Sequence, residues 1–131
     1  ALASLVLEPY GALVDGLAIA GEYTDNFEGY HQISTAFWQQ GEGADASWYW
    51  MQSVDAEAGW MVAQNDAGNM FAPGLFSRFD WTTVDGTLYF CQSAFDAESA
   101  EAARAAPAPD VSDPAEGGCG GMFLWSALSP R

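Results

Sequence analysis

Three arginines are all the cations this chain carries against 18 Asp and Glu residues; there is no lysine, and the net charge is -15. Arg104 lies in an alanine-rich stretch and Arg131 is the last residue. That leaves Arg78, within Ser77-Arg78-Phe79-Asp80-Trp81, as the cation whose neighbours could use it. A guanidinium set among aromatic residues and beside a carboxylate is expected to take a fixed acidic partner, Asp80 or an acid of an adjacent strand, and to rest its stem on a ring. His31 is the only imidazole, and no Ser or Cys nucleophile stands in a recognisable elbow near it. It reads as an exposed or hydrogen-bonded strand residue, so no catalytic residue is assigned. Paired carboxylates for glycoside hydrolysis would have to be selected by spacing in three dimensions, which the sequence does not give.

Two further residue sets could bind rather than react. Gln64-Asn65-Asp66-Ala67-Gly68-Asn69 is dense in oxygen ligands, and Asn65, Asp66 and Asn69 could hold Ca²⁺, as could Asp110, Asp113 and Glu116. Neither set has EF-hand spacing, and Asx-turns account for both. The aromatics Trp38, Trp48, Tyr49, Trp50, Trp60, Trp81 and Trp125 could stack on a sugar or a flat apolar molecule. Core packing is the expected role for most of these rings, and a few at a barrel mouth suffice for binding; Trp48, Trp50, Trp60, Arg78 and Trp81 are the expected ligand-binding group.

Composition sets the limits on function. A 131-residue chain with 50% hydrophobic residues fits one domain with a real core. So few cations exclude a phosphate-neutralising nucleic-acid interface and disfavour an anionic membrane surface. No apolar stretch is long enough to insert as a helix. Cys91 and Cys119 are an even pair without a CxxC or further zinc ligands, which points to a disulfide and an oxidising compartment. Residues 1–20 lack a basic n-region, so the numbered chain reads as a mature or trimmed form.

Short aromatic and β-branched runs separated by turn residues predict a mostly all-β protein, an antiparallel meander closing as a small barrel or sandwich. The expected strands are Ile19–Thr24, Tyr30–Ser34, Phe37–Gln40, Ser47–Val54, Trp60–Asn65, Phe76–Thr82, Thr87–Ser93 and Met122–Leu128. Thr83-Val84-Asp85-Gly86 is the clearest hairpin signal. One short helix is expected near residues 97–105, capped by Asp96, with Arg104 near its end. Residues 1–17 read as an apolar N-terminal arm with an extra strand at Leu2–Leu7, and 18–131 as the single barrel-like domain.

Gly21-Glu22-Tyr23, opening a meander after an apolar arm, resembles the Gly-x-Trp start of calycin-like barrels of the lipocalin and avidin type, with Tyr23 where those have tryptophan. The stretch Gln64-Asn65-Asp66, Pro73-Gly74, Ser77 to Trp81, Tyr89-Phe90-Cys91-Gln92 and Gly117 to Gly121 is similar to a group of uncharacterised exported bacterial proteins. That similarity implies export to the periplasm, cell surface or medium, and supports the disulfide. The expected function is a noncatalytic exported binding module for a small apolar or carbohydrate ligand. The second expectation is a structural subunit of an envelope or extracellular assembly, with residues 1–17 donating a strand to a neighbouring sheet edge; a homo-oligomer is among the expected partners.

Overall fold

A computed structural model of the chain describes residues 17–120 and 123–131. Eight strands follow one another around a closed antiparallel barrel. They are β1 (Gly21–Asp25), β2 (Tyr30–Ile33), β3 (Phe37–Gln40), β4 (Ser47–Asp55), β5 (Trp60–Asn65), β6 (Phe76–Val84), β7 (Thr87–Ala97) and β8 (Ser126–Pro130). Each strand pairs with the next, and β1 pairs with β8 through Tyr23↔Pro130, Thr24↔Ser129 and Asp25↔Leu128. The expected strand at Leu2–Leu7 and the Met122 end of the last expected strand lie outside the described residues.

Local chemistry sets the corners. At Asp85-Gly86 both residues have positive φ, 52° and 81°. This is the geometry of a two-residue hairpin turn that matches strand twist, and Val84 pairs with Thr87 across it. Gly59 is required at the β4–β5 turn: its φ is +84°, and a Cβ would stand 2.8 Å from the Trp81 carbonyl. The helix α1 is Ala100–Arg104, capped by Ser99, whose hydroxyl accepts from the Ala102 amide at 3.0 Å. The expected Asp96 cap is corrected: pairing of Ala97 with Phe76 keeps Asp96 inside β7.

The barrel interior is apolar at the end where β1 begins. Trp38 and Phe79 stack with centroids 4.4 Å apart and planes at 14°, and Ile33, Met61, Tyr23 and Leu128 pack around them. Leu17 and Ile19 join this core, and the Tyr23 hydroxyl donates to the Ile19 carbonyl at 2.8 Å.

Outside the barrel, α1 lies against β5, β6 and β7, and Arg78 fastens it there. Arg78 forms a two-pronged pair with Asp80, Nε to Oδ1 at 2.9 Å and Nη2 to Oδ2 at 3.0 Å. Its Nη1 donates to the carbonyls of Arg104 and Ala106, which the helix end would otherwise leave unbonded. The guanidinium stands 5.1 Å from the Trp60 ring centroid, and Ser93 adds a 2.6 Å bond to Asp80. The expected acidic and aromatic partners are both present. Cys91 and Cys119 are bonded, tying the loop after α1 to β7, where Trp125 packs against them. Closing a loop of this length contributes about 3.5 kcal/mol on the chain-entropy account.

Arg78→Met keeps the side chain's bulk but leaves the buried Asp80 carboxylate without its cation. Loss of about 3–5 kcal/mol is expected, read as a fall in Tm of roughly 10 °C or more. A Tm within about 2 °C of the parent would show that Arg78 is only a surface charge.

Candidate functional site

The register around the barrel places one inward polar residue on every strand at about the same level. Asp25 stands on β1, His31 on β2, Gln40 on β3 and Ser47 on β4, with His31 directly opposite Gln40 and Gln40 opposite Ser47. Asn65, Ser77, Gln92 and Ser126 continue the ring on β5 to β8. Adjacent members bond where they meet: Ser77 Oγ donates to Asn65 Oδ1 at 2.6 Å, and Gln92 Nε2 to Ser77 Oγ at 3.1 Å. Gln40 Nε2 reaches Gln92 Oε1 across the lumen at 3.5 Å. Asn65 finishes this chain on the carbonyls of Ala72 and Phe95, both at 2.9 Å, which positions the β5–β6 loop.

All of this ring but Ser77 lines a cavity of about 690 Å³, with Tyr49 and Phe90 also in its wall and Phe71 and Phe95 at its lip. The size suits a small organic molecule. Large apolar side chains exposed to solvent gather at this end: Phe27, Met70, Phe71, Phe95, Phe123 and Leu124. The turns of the other end, 34–36, 56–59 and 85–86, carry only small or polar residues. Ser47, Ser126 and Tyr49 hydroxyls have no hydrogen-bond partner among the described residues.

His31 is 3% exposed and bonded at both ring nitrogens. Trp38 Nε1 lies 3.1 Å from Nδ1, and Asp25 Oδ2 lies 2.7 Å from Nε2. An indole N–H can only donate, so Nδ1 must accept and the proton resides on Nε2, which donates to Asp25. Burial pushes the His31 pKa down; the Asp25 carboxylate opposes this without reversing it. Burial pushes Asp25 up, but hydrogen bonds from His31 and from the Gly29 and Phe27 amides outweigh it and hold the pKa below the usual value. The pair is a neutral imidazole against an ionised carboxylate. With neither nitrogen free, His31 in this arrangement has no lone pair to offer as a base.

The five residues expected from sequence to bind ligand do not line this cavity. Trp48 and Trp50 stand on the outer wall of β4, stacked at 5.8 Å with planes at 12° and flanked by Phe37. Trp60 and Arg78 form the junction with α1, and Trp81 packs on the apolar core. The proposed calcium ligands have separate partners: Asn65 the inner network, Asp66 the Trp50 Nε1 at 3.0 Å, and Asn69 the Trp48 backbone at 2.9 Å. Among the described residues, no group of three or more His, Cys, Asp or Glu side chains could hold a metal ion. Sequence reasoning missed Gln40, Gln92 and Phe90, and weighed Tyr49 as a stacking ring without placing it in the expected ligand-binding group. The available signal was the recurrence of a polar residue at alternate strand ends, which becomes visible only once inward parity is carried from strand to strand.

The fold and site define a closed eight-stranded meander barrel with one apolar, filled end and one polar, open end. Comparison of the chain with protein-family models, curated proteins and solved structures finds no match. Among the described residues, no helix is long and apolar enough to cross a membrane.

The His31 tautomer has a testable consequence. In Asp25→Asn the amide must turn its NH₂ toward either His31 Nε2–H or the two backbone amides, so a donor faces a donor either way. Trp38→Phe frees Nδ1 and lets the proton move there. Asp25→Asn should therefore cost at least about 1 kcal/mol less in the Trp38→Phe background than in the parent, measured by denaturant unfolding. Strictly additive costs would refute the tautomer assignment.

Proposed function

We propose that the protein is a noncatalytic binding module that holds a small ligand in the open end of its barrel. The observation that carries this reading is the cavity of about 690 Å³ lined by a ring of polar side chains and by aromatic residues. Rings offer a face to an apolar molecule or a sugar, while the unpartnered hydroxyls and the Gln40 amide offer directional contacts. The saturated His31 supports binding over general-base chemistry. Export fits the Cys91–Cys119 disulfide, which persists in oxidising compartments.

Closure of the ladder favours this reading over a strand-exchanging structural subunit. A donated strand needs an unpaired edge, and β1 and β8 satisfy each other. A surface reading for carbohydrate attaches instead to the outer-wall rings Phe37, Trp48 and Trp50, of which Trp50 is 41% exposed.

Nile red, a neutral probe that brightens in apolar surroundings, separates the sites, with methyl glycosides as competitors. Saturable one-to-one uptake is expected. Ser47→Trp, which fills the cavity from its wall, should weaken it more than about tenfold, and Trp50→Ala should not. Binding that survives Ser47→Trp and disappears with Trp50→Ala would place the ligand on the outer wall and overturn the cavity reading.

A further inference from the structure

The ligand's charge class can be read from what lines the cavity, granted the binding role proposed above. No arginine is among the lining residues. Arg78 is committed to Asp80 and the end of α1. Arg131 is held to Thr24 Oγ1 at 2.9 Å, over the Tyr30 ring at 4.6 Å, with Glu42 at 3.6 Å. A carboxylate or phosphate entering the cavity would meet neutral donors only, inside a molecule of net charge -15.

The wall also holds a charge of its own. Asp25 is bonded to two backbone amides and to an imidazole whose proton position is fixed by Trp38. All three donors are neutral, so the carboxylate keeps its negative charge with no cation beside it among the described residues. Tyr49 and Phe90 line the same space, and Phe71 and Phe95 flank its entrance, 76% and 57% exposed. Aromatic faces attract organic cations, and the attraction grows when water is excluded.

We infer that the cavity selects an organic cation, an amine or quaternary ammonium carried on a flat or short apolar body, and rejects the corresponding anion. The carboxylate and the field of the molecule supply the charge preference. The rings hold the body, and the Gln40 and Ser47 oxygens can accept from an ammonium N–H. An uncharged analogue keeps the apolar contacts but loses the electrostatic part.

The test is calorimetry with three probes sharing one ring: tryptamine, tryptophol and indoleacetate. Tryptamine should bind about tenfold or more tightly than tryptophol, and indoleacetate should not bind measurably. The amine's advantage should shrink as NaCl rises from about 0.05 to about 0.5 M. Phe71→Leu/Phe95→Leu alters exposed positions and keeps apolar bulk, so it should fold and should weaken tryptamine more than tryptophol. Equal affinities for amine and alcohol, or tighter binding of the acid, would overturn the inference while leaving the cavity as a binding site. So would silence from all three probes with Nile red still taken up. Failure of Nile red as well would remove the cavity reading itself.

Discussion

The pairing of β1 with β8 is the constraint on which the rest of this molecule depends. It joins residues about as far apart as the described chain allows, Tyr23 with Pro130 and Asp25 with Leu128. Asn26 supports it by accepting from the Ala127 amide, and the Arg131 amide continues it onto the Glu22 carbonyl. Without that seam the sheet would have two edges and an open interior, and the inward residues would have no common centre. With it, an inward and an outward face run around all eight strands, shifted at the bulges of the β4–β5 and β6–β7 pairings.

The interior then divides along the barrel axis. Toward one end the Trp38–Phe79 stack, Met61, Ile33 and Leu128 give a dry core of the usual kind. Toward the other, polar residues face inward, a costly arrangement unless each finds a partner. Most do, through the Gln92–Ser77–Asn65 chain and the Asp25–His31–Trp38 chain. These bonds fix the cavity wall in one arrangement. Stability elsewhere compensates: the disulfide and the Arg78–Asp80 junction both brace the outer side of β6 and β7, away from the cavity.

Much of this architecture was legible in the sequence because it rests on short-range signals. Alternation and turn chemistry placed β3 and β5 to the residue, and Asp85-Gly86 marked its hairpin. Arg78 and Asp80 are two apart on one strand, so their pairing follows from period alone. The helix start was misread, since Asp96 and Ser99 are both good caps and only the Phe76↔Ala97 pairing chooses between them. The cavity was not legible for a related reason. In Ser47-Trp48-Tyr49-Trp50 both faces are aromatic, so bulk pointed to the tryptophans, while closure turned Tyr49 inward and sent Trp48 and Trp50 outside.

Closure is tested most directly by native-state amide hydrogen exchange. If β1 and β8 are each other's partners, their bonded amides should open only with the barrel as a whole, within about 1 kcal/mol of those in β5 and β6. Exchange in β1 and β8 that is faster by several orders of magnitude, with β5 and β6 still protected, would mean an open sheet and would contradict the account.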